Sequence, residues 1–301
     1  MSDNLPSAQV MSGLARGDYR LLTKVCVDDL PLVEANEAET QIAAVVDVET
    51  SGLDPDEDAI TELAIRRFRF DEQGRLVKLD KCYSWLEDPG RPLSEDVVKI
   101  TGITDDMVRG QSIDDDQATK LLRSASVVIS HNAAFDRPFV DRRLPAANGL
   151  PWACSCEGID WKTFGFNGRA LGWLLAQRGW FHEAHRAVAD VDALITLLAE
   201  EVCSGQTFLE ALVRRAEQPS WIVRAVGAHF DVKDKLRARG YRWDAKAKVW
   251  FREVLEEDLE EEQVWLLIQI YAAEFWPRAA AAELERVTWT TRYSGPPRPS
   301  L

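Results

Sequence analysis

Apolar residues in the first two thirds of the chain come in short runs separated by turn-forming clusters, a pattern of layered strands and helices. Ile42-Ala43-Ala44-Val45-Val46-Asp47-Val48-Glu49 reads as a buried strand that runs into the turn Thr50-Ser51-Gly52-Leu53. Two more strands follow before residue 86, joined as a hairpin through Asp71-Glu72-Gln73-Gly74. Residues 94–125 predict helices, Val127–Ser130 a strand, Phe135–Arg143 a helix and Gly158–Trp161 another short strand. Helices are expected near Ala170–Arg178 and over Ala187–Cys203, completing an α/β sandwich. Upstream, a short helix is expected around Ser7–Thr23, followed by an acidic linker from Val33 to Thr40.

The last third changes character. Trp221–His229, Lys233–Arg239, Gly240–Trp243 and Val249–Phe251 predict strand, helix and hairpin, the hairpin turning at Asp244–Lys248. Glu253–Arg286 reads as helical, acidic at its start and apolar over Val264–Phe275, and the Pro-rich tail from Ser294 is expected to be disordered. The expected organisation is residues 1–40 as helix and linker, 41–205 as the main domain and 214–253 as a small basic and aromatic α+β module. A helical segment over 254–290 and a tail over 291–301 complete it.

Composition narrows the class. The chain has 301 residues and a net charge of -14, with no apolar run near the roughly 20 residues that span a bilayer. Met1-Ser2-Asp3-Asn4 lacks the basic and apolar regions of a signal peptide. Five cysteines without framework spacing fit reduced thiols, so a soluble cytoplasmic protein is expected. Net negative charge argues against a polyanion partner, but its distribution does not. Arg214–Glu253 holds eleven Lys/Arg and five acids, +6 in that window against -20 elsewhere. Tyr241, Trp243, Trp250 and Phe251 within it either stack bases or form the core of a very small domain; core is favoured for Trp243 and Trp250.

The candidate chemistry lies in five residues. Asp47 and Glu49 alternate along a strand and so share one face, an arrangement suited to a divalent cation held by oxygen ligands. Asp136 follows an apolar strand, and His185 and Asp190 precede or open a helix. Singly, each has a plain structural reading: a solvated strand end, a surface acid, a helix-start pair. Together, four carboxylates and an imidazole are equipment for metal-assisted hydrolysis of a phosphodiester.

In order and in context, these residues resemble the DEDD-type 3′→5′ exonucleases, DEDDh subgroup, the superfamily of the proofreading epsilon subunit of DNA polymerase III. The resemblance covers roughly residues 41–202. It rests on Val46-Asp47-Val48-Glu49-Thr50-Ser51-Gly52-Leu53, on Val127-Val128-Ile129-Ser130-His131-Asn132-Ala133-Ala134-Phe135-Asp136, on His185-Arg186-Ala187-Val188-Ala189-Asp190 and on Ile100-Thr101-Gly102-Ile103-Thr104. Ala184 stands where the family often has Gly. The resemblance implies a ribonuclease-H-like mixed five-stranded sheet flanked by helices. It implies two Mg²⁺ ions, replaceable by Mn²⁺, held by Asp47, Glu49, Asp136 and Asp190, with Asp47 bridging. His185 takes the proton of the attacking water; His182 is read as surface and Asp192 as a helix neighbour. Thr50, Gly52 and Leu53 are expected to contact the 3′-terminal nucleotide, while Asn132 and Phe135 divide between substrate contact and structural roles. The implied activity is release of nucleoside 5′-monophosphates from 3′ ends of single-stranded DNA or RNA, DNA favoured, in repair or replication. The alternatives are a 3′→5′ exoribonuclease and a non-catalytic nucleic-acid-binding or polymerase accessory protein. A polymerase or homodimer partner is left open, as are contacts to nucleic acid from the module at 214–253.

Overall fold

A computed structural model describes residues 13–203, 205–245, 247–271 and 282–295. Its centre is a five-stranded mixed sheet of β1 (Gln41–Thr50), β2 (Ile60–Phe70), β3 (Leu76–Leu86), β4 (Val127–Ser130) and β5 (Trp152–Cys154). Across the sheet the order is β3-β2-β1-β4-β5. The first three strands pair antiparallel, and β4 and β5 join parallel to β1. The β2–β3 hairpin closes where expected. The Asp71 carboxylate accepts from the N–H of Gln73 (3.0 Å) and of Arg75 (2.9 Å), and Gly74 takes a φ of 76° that only glycine adopts without strain.

Alternation along β1 sorts its residues between two cores. Ala44, Val46 and Val48 face one layer with α2 (Asp115–Arg123) and α3 (Ala133–Arg143), while α1 (Glu95–Thr101) lies in the connection before them. Ala43 and Val45 face the other layer, with α4 (Leu171–Arg178), α5 (Ala187–Ala199) and α6 (Phe208–Glu217). Val45, Val46, Ile65 and Ile129 are fully buried, each stabilising the fold by about 1.5–3 kcal/mol. Asp47 and Glu49 continue the odd-numbered series and therefore face the α5 layer.

A second sheet, β6 (Ser220–Ala225), β7 (Arg242–Asp244), β8 (Val249–Leu255) and β9 (Glu283–Val287), is antiparallel in the order β7-β8-β6-β9. With α7 (Lys233–Ala238) and α8 (Leu259–Leu266) it encloses a small core around Val223, Leu236, Tyr241 and Leu266. The chain then returns to the first sheet. Trp289 O accepts from Trp152 N (2.8 Å), so the tail covers the open edge of β5. The fully buried Arg137 donates to the carbonyls of Arg292 (2.6 Å) and Thr290 (2.7 Å).

Several expectations are corrected. The strand lies at Trp152–Cys154, and Gly158–Trp161 is not one: Trp161 turns inward against Phe166 and Phe208, and Ser155–Gly158 is a helical turn. The helix from Ala187 stops at Ala199, and Glu201–Cys203 instead pairs with Gln206–Thr207 around Gly205 (φ 84°). Near the N-terminus residues 13–16 are helical, but Gly17 (φ 80°) ends the helix and Thr23–Lys24 pairs with Trp180–Phe181; residues 7–12 lie outside the described residues. Within Glu253–Arg286 the described helix is confined to residues 256–271. The first residues of that span finish β8, and Glu283–Val287 is a strand held by Arg224–Glu285 and Arg286–Glu256 ion pairs; residues 272–281 are outside the described residues, as is the tail from 296. Arg214 and Arg215 belong to α6, whose Leu209, Leu212 and Val213 pack in the first core.

Candidate active site

The C-terminal half of β1, the start of α3 and the start of α5 bring the sequence-predicted acids together. One oxygen each of Asp47, Glu49 and Asp190 lies within 4.8 Å of the other two. Asp136 is buried one turn into α3, its Oδ1 accepting from the Val48 N–H at 3.3 Å, beside the Asp47 strand. It borders the trio without joining it.

Electrostatics make this cluster costly as it stands. Burial holds Asp47 well above the ordinary carboxylate range, with Asp136, Asp190 and Glu49 adding to it. Glu49 is pushed up to about 8 by burial and then by Asp190 and Glu62. Asp136 rises to about 7 through burial, although the neighbouring Ser130 hydroxyl and Val48 N–H pull it back. Like charges in a shared, poorly hydrated site oppose joint ionisation. Oxygen donors alone, converging and mutually repelling, fit a hard divalent cation, which relieves that repulsion.

Asp190 is held in place at both oxygens. Oδ1 lies 2.9 Å from His182 Nε2, and Oδ2 accepts from the Arg186 N–H at 3.2 Å. The His182 side chain is 5% exposed, so the expectation that it is a surface residue is wrong. Spacing alone concealed it, because the loop from Glu183 to Arg186 folds back and sets position 182 against position 190. His185 itself is exposed, at a left-handed φ of 66°, and makes no hydrogen bond among the described residues. Asp192 is no part of the cluster: it pairs with Arg66 at 2.8 Å.

Glu62 escaped sequence reasoning. It stands directly opposite Glu49 across the β1–β2 pair, is buried, and takes a two-pronged contact from Arg186 at 3.0 and 3.2 Å. The signal was present as a lone acid inside the apolar run Ile60-Thr61-Glu62-Leu63-Ala64-Ile65. His131 is a structural bridge, one ring nitrogen 2.8 Å from the Ser155 hydroxyl and the other 2.8 Å from the Arg169 carbonyl. Burial pushes it down to about 4, so it stays neutral near pH 7.

The expected nucleotide-contacting residues divide. Leu53 is 80% exposed, whereas Thr50 is buried and donates to the Gly52 carbonyl. Gly52 is demanded by its own surroundings, since a Cβ there would fall 2.3 Å from Asp58 Oδ2. Asn132 is exposed and its side chain does not cap α3, which leaves it facing solvent. Phe135 packs on Phe139, centroids 5.1 Å apart, and is partly core.

The basic window is largely neutralised: Arg239 pairs with Glu261 and Glu262, Arg252 with Glu262, and Arg242 with Glu157. Tyr241 and Phe251 are buried, while Trp243, expected in the core, is 45% exposed and leans on Trp250. Its strand β7 is three residues long at a sheet edge, too short to cover both faces. Among the described residues no helix is long and apolar enough to cross a membrane.

The chain is similar to known nucleases over this region. A PolC-type DNA polymerase III of Listeria innocua is 41% identical over 100 residues, 32% of this chain and 6% of the polymerase. A ribonuclease T of Actinobacillus pleuropneumoniae is 32% identical over 120 residues, 36% of this chain and 55% of that protein. This chain thus spans about half the length of the ribonuclease and a small fraction of the polymerase. The solved structure of E. coli exonuclease I in complex with a dA16 oligonucleotide aligns with 83% of this chain and 64% of its own at 16% identity and a TM-score of 0.45. The model of the RNase T family, described as Exonuclease, matches residues 44–198, just over half of the chain. The chain belongs to the RNase T exonuclease family.

Proposed function

We propose that the protein is a metal-dependent 3′→5′ exonuclease that removes nucleoside 5′-monophosphates from single strands, DNA in preference to RNA. The observation that carries this reading is the convergence of Asp47, Glu49 and Asp190 within 4.8 Å, with Asp136 buried beside them. The polymerase relative, more identical than the ribonuclease over a similar length, supports DNA.

Asp47, Glu49 and Asp190 would hold a divalent cation, and Asp47 and Asp136 a second; Mg²⁺ suits these oxygen donors and Mn²⁺ can replace it. Bound there, the cations lower the cost of deprotonating water and offset the charge that builds on the attacked phosphate. The remaining chemistry belongs to side chains. His185, on a solvent-facing loop, takes the proton from the attacking water at an imidazole nitrogen. As the P–O3′ bond breaks, the departing 3′ oxygen gains a proton and the terminal nucleotide leaves with its 5′ phosphate. His182 and the Arg186 N–H fix the Asp190 carboxylate, and the Glu62–Arg186 pair anchors that loop to β2. Leu53 and Asn132 offer exposed contacts to the terminal nucleotide.

The test is a time course on matched 5′-labelled DNA and RNA single strands in Mg²⁺ or Mn²⁺, beside Asp47→Ala and a chelator control. A ladder that shortens from the 3′ end, faster on DNA and lost in both controls, is expected. Intact strands under both metals would exclude the activity, and faster loss of RNA would reverse the substrate preference.

A further inference from the structure

Two adjoining cavities, about 920 Å³ and about 420 Å³, share Glu157, Gly158, Arg169 and Arg215 as a common wall. The larger follows the loop from Cys156 to Arg169, and the smaller continues to the C-terminal sheet. Their lining carries six Lys/Arg against three carboxylates, in a chain of net charge -14. A concave surface of opposite sign to the rest of the molecule concentrates anions.

Three of these six cations are already engaged. Arg242 pairs with Glu157 (3.0 Å), Arg252 with Glu262 (2.7 Å) and Arg292 with Glu253 (2.8 Å). Arg169 and Arg215 are different: their guanidinium groups form no hydrogen bond or ion pair among the described residues, although both line the two cavities. Burial, and then the adjacent Arg292, pull the Arg215 pKa down. The carboxylate that favours its charge, Glu253, already accepts from Arg292 and Ser220. A half-buried guanidinium without a partner is costly, and its fork of donors matches a phosphate.

Two further features give the groove direction. Phe164 exposes a ring at the wall of the larger cavity, held edge-on by Phe208 at 5.4 Å. His131 joins the groove to the acidic site, since its ring contacts the Arg169 carbonyl at 2.8 Å and it stands between the end of β4 and the start of α3, the helix that carries Asp136.

We propose that this groove holds the single strand 5′ of the cleaved bond, with Arg169 and Arg215 binding its backbone phosphates and Phe164 offering a face for a base. Stacking on an exposed ring and charge along the backbone together bind single strands without sequence preference. The inference rests on the exonuclease reading for its polarity, with the 3′ end at the acids and the upstream strand on the arginines.

The test uses the full chain carrying Asp47→Ala, a 5′-fluorescein dodecanucleotide and anisotropy over a range of salt. Adding Arg169→Ala or Arg215→Ala is expected to weaken binding roughly tenfold. Each is also expected to reduce the slope of log K against log salt by about 0.7, the single-strand value for one phosphate. Arg215→Lys keeps the charge and the aliphatic stem and is expected to retain the slope, so the result stays readable if Arg215→Ala folds poorly. In the chain with Asp47 intact, the two alanine variants are expected to raise KM more for the dodecanucleotide than for a dinucleotide. Unchanged slopes and affinities in both would overturn the groove, as would saturable binding of inorganic phosphate with no effect on the strand. Cleavage with unchanged slopes removes the groove alone. Reduced slopes in a chain that cleaves nothing support the groove and remove the exonuclease reading.

Discussion

Glu49→Gln separates the stability of the acidic site from its activity. In the folded chain without cations Glu49 is raised from 4.5 to about 8, first by burial and then by Asp190 and Glu62. A carboxyl with a raised folded pKa contributes fully below its unfolded pKa, and that contribution is lost as pH rises through the folded value. Between about pH 4.5 and about pH 8 the parent therefore loses stability that the Gln variant, which carries no charge, keeps. A rise of that size, at about 1.4 kcal/mol per pH unit, has a ceiling of about 4–5 kcal/mol. Solvent reaches the half-buried side chain and screens the repulsion, which brings the expected effect to about 2 kcal/mol at pH 8. In a chain of this size that is about 3 °C in Tm. The assay is thermal unfolding of parent and variant in chelator at about pH 5 and about pH 8, repeated with Mg²⁺. The variant is expected to melt higher at pH 8, to match the parent at pH 5, and to gain less from Mg²⁺ while losing nuclease activity. Equal stability at pH 8, or the same difference at both pH values, would refute the account of the cluster as strained charge relieved by a cation.

His185→Ala is expected to lower kcat by about 10²–10⁴-fold while leaving Mg²⁺ affinity, read by thermal shift, near the parent's. Arg137→Ala removes a 1%-exposed guanidinium from Asp141 and from the carbonyls of Thr290 and Arg292. A loss of about 3 kcal/mol in urea unfolding is expected, with earlier proteolytic cutting near residue 290. Gly74→Ala places a Cβ 2.2 Å from Thr207 Oγ1 at a φ of 76° and is expected to cost about 1–3 kcal/mol by the same measurement.

The central sheet was legible because β1 to β4 carry either unbroken apolar runs or clear turn residues, and the carboxylates lie at their ends. The short strand at Trp152–Cys154 was not, since three residues show no periodicity and burial comes from β4 and from the returning tail. β9 was hidden by its polarity: Glu283, Glu285 and Arg286 suit an exposed helix as well as an edge strand, and their partners Arg224 and Glu256 lie some 30–60 residues away. The same distance effect removed most of the free charge expected over 214–253, because Glu157, Glu261 and Glu262 lie outside that window. At the site, strand alternation made the Asp47/Glu49 pair readable. The role of His182 depended on a loop reversal that no spacing rule encodes.

The most direct measurement follows a strand with a fluorescent nucleotide at its 3′ terminus through the first turnover in Mg²⁺. The account predicts that the label leaves first, as a nucleoside 5′-monophosphate matched one for one by a strand one nucleotide shorter, before any further shortening, and that Asp47→Ala releases none. Label retained on internal fragments, or release undiminished in Asp47→Ala, would contradict it.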